Sequence, residues 1–443
     1  MSNNENNEIR DSFTSKTGFI LACIGSAVGM GNIWLFPYRV GQFGGAAFLI
    51  PYIIFIVLLG YTGLMGEFAF GRMTQTGPIG SFKKALETKN KNWGGFLGII
   101  PVIGAFGIAV GYAVVVGWFL RFLGGFITGS AMSAADSGAY FGELASPFGS
   151  IIWHLLALIL VSIVLISGIS KGIETMNKIM MPAFYILFVI VMVRVFMLDG
   201  AFEGIKYLVV PKWSSLMEPK TWIYALGQAF FSLSLAGSGM IVYGSYLKRD
   251  VDIMSSAKNT VIFDTLGAFL AGLVIIPAVF AFNLDPASGP PLLFITIPSV
   301  FKLMPFGRLF GVIFFISVLF ASITSLMNLL EVPIEAVQST FKLKRKLSVF
   351  IVVGAAFIFG LFAEDGNNLG VLMDFVSIYI IPIGAFIAAV MFFWVIGIKK
   401  AKYEIECGTD KKLGKLFEIS AKYVFVFLTI FVFIAGILLG GIG

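Results

Sequence analysis

Eleven apolar segments, each long enough to cross a bilayer or nearly so, constrain this chain more than any other feature. A helix needs about 20 apolar residues to span about 30 Å of hydrocarbon. Such segments lie at 18–40, 46–70, 96–127, 150–167, 172–198, 220–247, 256–282, 307–340, 347–363, 370–398 and 419–442, numbered spans 1 to 11 below. Composition agrees: 58% of the 443 residues are hydrophobic and only 12% charged, with a mean hydropathy of +0.95. A soluble protein of this length cannot bury so much apolar surface, so the expected class is an all-α integral membrane protein. The opening MSNNENNEIRDSFTSK lacks the apolar core and small-residue cleavage site of a signal peptide, and 1–17 reads as a cytoplasmic N-terminal segment.

Loop charge sets the orientation. Arg72, Lys83, Lys84, Lys89 and Lys91 fall in one loop, Lys342, Lys344, Arg345 and Lys346 in another, and Lys399, Lys400, Lys402, Lys411, Lys412 and Lys415 in a third. All lie on one side of the membrane, which the positive-inside bias makes cytoplasmic. The alternate loops are poor in cations: 128–149 holds only Asp136 and Glu143. The N-terminus is then cytoplasmic and the C-terminus outside. The net charge of +7 follows from topology and calls for no nucleic-acid partner. "Inner" and "outer" below follow this orientation. The outer loops 199–219 and 283–306 are long enough to fold over an entrance.

Two spans are interrupted. GSAVGMGN (25–32) places Gly25, Gly29 and Gly31 and then Asn32 inside span 1, and SLSLAGSGM (232–240) places Gly237 and Gly239 around Ser238 inside span 6. Small residues at such spacing also serve close helix packing. Their concentration in the first span of each of two five-span halves, 18–198 and 220–398, favours a binding site at a repeat interface. Unwound backbone frees carbonyls for a cation and amides for an anion. Elsewhere the chain is sparing. Cys23 and Cys407 are isolated. His154, the only histidine, follows Trp153 at the start of an apolar run and reads as an interfacial residue. With no HExxH or GxSxG and no second histidine, enzyme chemistry is not expected.

GSAVGMGNIWLFPY with GGAAFLIPY (44–52), FFSLSLAGSGMIVYGSYLKRD (230–250) and FASITSLMNLLEVP (320–333) resemble spans 1, 2, 6 and 8 of the neurotransmitter:sodium symporters. The likeness covers spans 1–10, and the eleven-span count resembles a bacterial branch that carries tyrosine or hydrophobic amino acids. It implies a LeuT-type fold: two inverted five-helix repeats with helices 1 and 6 broken, an outer loop at 199–219, a cytoplasmic loop at 399–418, and an extra helix in 419–443.

The resemblance also implies sites. A first sodium ion takes Ala27, Asn32, Ser232 and Asp264 with the substrate's carboxylate; a second takes Gly25, Val28, Ala321, Thr324 and Ser325. These are hard oxygen ligands, although Thr324 and Ser325 equally suit hydroxyls bonded back to their own helix turn. Asp264, a carboxylate within span 7, is functional by default. Substrate contacts fall on Ala27, Gly29, Gly31, Ile108, Tyr112, Val115, Phe231, Ser232, Ser234, Gly237 and Leu329; for Tyr112 and Phe231 ordinary aromatic packing is the alternative. Gly29 stands where amine carriers have an aspartate, which implies an α-amino acid. Gly237 stands where some relatives have a bulky group, which implies space for a large side chain. The gate set is Arg10, Phe13, Tyr112, Phe231 and Tyr246. At the outer entrance Leu35 replaces the family's arginine, and Arg39, one turn on, is expected to pair with Asp374.

The function implied is a Na⁺-coupled symporter of the bacterial inner membrane. It imports a hydrophobic or aromatic L-amino acid, tyrosine favoured, by alternating access. Chloride is not needed, because Asp264 supplies a fixed negative charge; left without sodium, that carboxylate is a candidate to carry a proton on the return step. A monomer suffices, and a dimer is compatible. Carriage of another small zwitterion and a channel are the alternatives.

Overall fold

In the computed structural model, residues 11–284 and 292–442 are described, and among them every regular element is helical. Hydrocarbon imposes this, since a helix satisfies all its backbone polar groups within one segment. Among the described residues, eight helices are long and apolar enough to cross a membrane, or nine with the bent pair of span 1 counted as one. Two expected spans fall short for local reasons. Span 4 is a 16-residue helix, Ile151–Ile166, and span 6 is two helices, Pro219–Ser232 and Gly239–Ser245. The described helices cover all eleven apolar segments.

Both expected interruptions are present. Span 1 runs as Lys16–Ala27, leaves helical geometry at Val28 (ψ 104°), and resumes through a π-helical turn, Gly31–Leu35, into Phe36–Gln42. Its two halves meet at 51°. Span 6 unwinds over 233–238, where Ser234 (φ 53°) and Gly237 (φ 66°) are left-handed. The breaks touch: the Ser234 hydroxyl donates to the Ser26 carbonyl at 3.0 Å. Around them stand span 3 (Gly94–Thr128), span 8 (Gly307–Phe341), span 7 (Ile253–Ala281) and span 5, whose helix Ile169–Phe196 opens on a π-helical turn.

Described parts of the two long loops, 199–219 and the helix Leu292–Leu303, pack onto the helices. Tyr207, in loop 199–219, donates its hydroxyl to the Gly41 carbonyl at 2.8 Å. From loop 283–306 the helix Leu292–Leu303 buries Phe294 completely among Trp34, Trp118, Phe119, Phe122 and Phe141. The inner segment 399–418 is not a plain loop. It contains the helix Ile398–Glu406, and fully buried Arg72, at the end of the helix Met65–Thr74 that continues span 2, reaches it with a 2.7 Å ion pair to Glu404.

His154 departs from expectation. It is fully buried and its Nδ1 lies 3.2 Å from Glu364, itself fully buried at the end of span 9. The second Glu364 oxygen accepts from the Ser150 amide at 3.2 Å. A histidine next to a tryptophan looks interfacial only while its partner, 210 residues away in sequence, is unknown.

Candidate functional site

The two breaks enclose a cavity of about 130 Å³. Eight of the eleven expected substrate residues line it: Ala27, Gly29, Gly31, Ile108, Tyr112, Phe231, Ser234 and Leu329. Tyr112, from span 3, accepts the Met30 amide at 2.8 Å, which holds the broken backbone of span 1 against its ring. Space at Gly29 is tight against two side-chain ends, which would have to shift to admit a larger residue. A Cβ there would lie 2.4 Å from the Tyr112 hydroxyl and 2.5 Å from Ser325 Oγ.

The other three expected contacts go elsewhere. Val115 is buried outside the cavity wall. Ser232 turns toward Asp264. Gly237 faces span 10, where a Cβ would meet the Gly384 carbonyl at 2.5 Å and Ala388 Cβ at 2.8 Å. The left-handed turn at Gly237 aims that direction away from the cavity, so a side chain there cannot act as the substrate's size filter. Its amide instead donates to Glu67 Oε1 at 2.9 Å. Glu67 is a buried span 2 carboxylate that props up the break. Sequence reasoning missed it, although a carboxylate inside an apolar span was a signal. Asn328, Val332, Ser238 and Ile381, also missed, complete the wall.

Three of the first-sodium residues converge. Ser232 Oγ donates to Asp264 Oδ2 at 2.8 Å, and Asn32 Nδ2 to Asp264 Oδ1 at 2.8 Å and to the Asp264 carbonyl at 3.0 Å. Asn32 Oδ1 in turn accepts the Gly29 amide at 3.3 Å. Ala27 lies beside them on the cavity wall. A carboxylate, a hydroxyl and an amide in one buried pocket form a hard-oxygen donor set once the Asn32 amide turns its oxygen inward.

The second set also comes together, and the two hydroxyls differ. Ser325 Oγ reaches across to the carbonyls of Gly25 (3.1 Å), Ser26 (3.0 Å) and Val28 (3.4 Å). Thr324 bonds back to its own helix, at Ala321 (2.9 Å) and Phe320 (3.0 Å). The span 1 carbonyls and the span 8 hydroxyls therefore face one another.

Of the gate residues, Arg10 lies outside the described residues. Phe13 is buried edge-to-face on Phe19 and Tyr243, and its amide donates to the Tyr246 carbonyl at 3.4 Å. The Tyr246 hydroxyl donates to Glu331 at 2.8 Å, and Arg345 grips the same carboxylate with two nitrogens, at 3.0 and 2.7 Å. That triad was not anticipated. Tyr112 and Phe231 share the cavity wall. The expected Arg39–Asp374 pair is absent among the described residues. Arg39 lies over the Tyr224 ring at 4.3 Å and donates to Gln42 at 3.0 Å, while Asp374 is exposed. A carboxylate in contact with water needs no partner, so the premise of a stranded buried charge fails.

A profile of the Sodium:neurotransmitter symporter family matches residues 10–132 and 141–439. An uncharacterized sodium-dependent transporter of Bacillus subtilis, YhdH, is 36% identical over 432 residues, covering 94% of each chain. The sodium-dependent serotonin transporter of Drosophila melanogaster is 28% identical over 96% of this chain and 76% of its own. Among solved structures, MhsT in complex with L-phenylalanine superposes with a TM-score of 0.87 at 34% identity, covering 96% of this chain and 99% of that one.

Proposed function

This chain belongs to the sodium:neurotransmitter symporter family and is a sodium-dependent membrane transporter of LeuT-type fold, and we propose that it imports a hydrophobic or aromatic L-amino acid by alternating access. One observation carries this reading: among the described residues, no charged side chain lines the cavity between the two breaks. An amine without its own carboxylate would lack a counter-charge there. A zwitterion brings one, set against sodium at Asn32, Ser232 and Asp264, while its amine meets carbonyls and hydroxyls of the span 6 break.

The apolar end supports a large side chain. Ile108, Tyr112, Phe231, Leu329, Val332 and Ile381 form it, and a cavity of about 150 Å³ holds a benzene ring. The complex of MhsT with L-phenylalanine supports the same class of cargo; tyrosine is favoured here because Asn328 and Ser238 offer polar partners on the wall.

Two sodium ions and a zwitterion carry two positive charges into a dry site. Asp264 cancels one without chloride, and each charge that crosses the full membrane potential gains about 2.3 kcal/mol per 100 mV. Return of the emptied carrier with a proton on Asp264 follows as a corollary. Uptake into proteoliposomes should require a sodium gradient, favour tyrosine and phenylalanine over glycine, and persist when gluconate replaces chloride. Asp264→Asn should lose most uptake in either anion. Strict chloride dependence in the parent, or an unimpaired Asp264→Asn variant, overturns the role given to Asp264.

A further inference from the structure

Span 5 presents two polar side chains to the inner half of span 1. Glu174 and Asn177, three residues apart, share one helix face, and opposite them stand Gly18 and Gly25, seven residues apart and likewise on one face. A Cβ at Gly18 would lie 2.0 Å from Glu174 Oε1, and one at Gly25 would lie 2.0 Å from Asn177 Oδ1. The two glycines are where those side chains press in.

Glu174 is fully partnered: it accepts from the Thr14 amide and hydroxyl, from Ser15 and from Lys178. Asn177 is not. It is fully buried, its Nδ2 donates to the Ile173 carbonyl at 2.8 Å, and its Oδ1 accepts no hydrogen bond. Because the Ile173 carbonyl can only accept, the amide orientation is settled: nitrogen to Ile173, oxygen toward Gly25. A buried acceptor left unmatched is costly and calls for a reason.

That oxygen lies against Gly25 and near Thr324, two residues of the second sodium set. The point 2.0 Å from Asn177 Oδ1 is also 2.8 Å from Thr324 Cβ and 3.1 Å from Thr324 Oγ1. Met181, one turn beyond Asn177, touches the same hydroxyl through its sulfur at 3.6 Å. Spans 1 and 8 carry the five residues of that set, and span 5 brings an unmatched amide oxygen beside two of them, a ligand type that hard cations accept.

We propose that Asn177 Oδ1 is a further oxygen of the second sodium site, contributed by span 5 beside Gly25, Val28, Ala321, Thr324 and Ser325. This rests on the reading that sodium binds there. The unmatched acceptor is then preorganised for a cation, and sodium ties span 5 to the broken helix as well as tying span 8 to it.

The test is a sodium titration of the purified full-length protein without substrate, with choline holding ionic strength constant and sodium-dependent thermal stabilisation as the readout. Asn177→Leu, similar in size but without the oxygen, should raise the half-saturating sodium concentration by roughly tenfold or more, the factor expected for losing one contact to a charge. Asn177→Asp keeps an oxygen and should saturate at or below the parental concentration. Should the leucine variant not fold, Asn177→Ala is read in its place. An unchanged half-saturation in the leucine or alanine variant overturns the proposal, as does equal weakening by Asp and Leu, which would mean packing and not the oxygen matters. A parent protein that sodium does not stabilise overturns the sodium-site reading itself, a result distinct from an insensitive variant.

Discussion

Single residues here do work that their identity alone would not assign. Gly237 looks like space left for a bulky cargo, yet its left-handed backbone points the missing side chain at the Gly384 carbonyl. Gly237→Phe should therefore lower thermal stability, by about 1–3 kcal/mol or more, through strain and overpacking, without tuning cargo size. The size filter lies on the wall that lines the cavity. Val332→Phe should shift preference from tyrosine toward alanine or glycine by roughly 10- to 200-fold in kcat/KM, the range that small volume changes in apolar pockets command. Competition uptake and thermal unfolding on the two variants separate these outcomes. If Gly237→Phe folds as well as the parent and switches specificity, the orientation given to Gly237 is wrong.

At the scale of elements, the breaks are held open by partners on their neighbours. Tyr112 of span 3 holds Met30, Glu67 of span 2 holds Gly237, and Glu331 of span 8 holds Tyr246 at the inner end of span 6. Arg345, at the start of span 9, is the only cation bridging to Glu331 among the described ion pairs. Because the Glu331 side chain is fully buried, Arg345→Ala strands its charge and should cost about 3 kcal/mol or more. Adding Glu331→Gln removes the stranded charge and should recover part of that loss. Thermal unfolding of the single and double variants checks this, and a double variant no more stable than Arg345→Ala would mean that lost packing by Arg345 dominates. The division between what could and could not be read from the chain follows from such partnerships. Motifs whose chemistry lies within a few residues, GSAVGMGN and SITS among them, are legible in the sequence, and Ser325 Oγ lies within hydrogen-bond distance of the Gly25, Ser26 and Val28 carbonyls. Glu67 with Gly237, 170 residues apart, and His154 with Glu364, 210 apart, were not. Each partner seen alone resembles a stray polar residue, and only tertiary packing makes the pair. The Arg39–Asp374 expectation failed in the opposite direction. A helical spacing of four puts Arg39 on the right face but does not give it reach, because Tyr224 and Gln42 are closer partners.

For the whole molecule, the charge bias of the loops makes an orientation that the two cysteines can report. Cys23 is buried in span 1 and Cys407 is partly exposed beside the basic segment 399–418. In intact cells a membrane-permeant maleimide should label Cys407, and an impermeant one should label it only in inverted vesicles. Labelling of intact cells by the impermeant reagent would place 399–418 outside and reverse the topology. The same experiment on Cys407→Ser controls for Cys23, which packing should shield in both preparations.

The cap that buries Phe294 gives the protein an optical reporter of its own. Of the seven tryptophans, Trp34 and Trp118 lie against that ring, at 6.0 and 5.6 Å between centroids, while Trp93, Trp213, Trp222 and Trp394 are exposed. Any motion that withdraws the helix Leu292–Leu303 to admit cargo must pull Phe294 away from those two indoles and let water reach buried Trp118 and partly buried Trp34. Emission from these two should then move to the red, while the exposed four and partly buried Trp153, which do not touch Phe294, supply the background. Movement of the outer entrance should thus be visible in intrinsic fluorescence, with no dye attached to the protein.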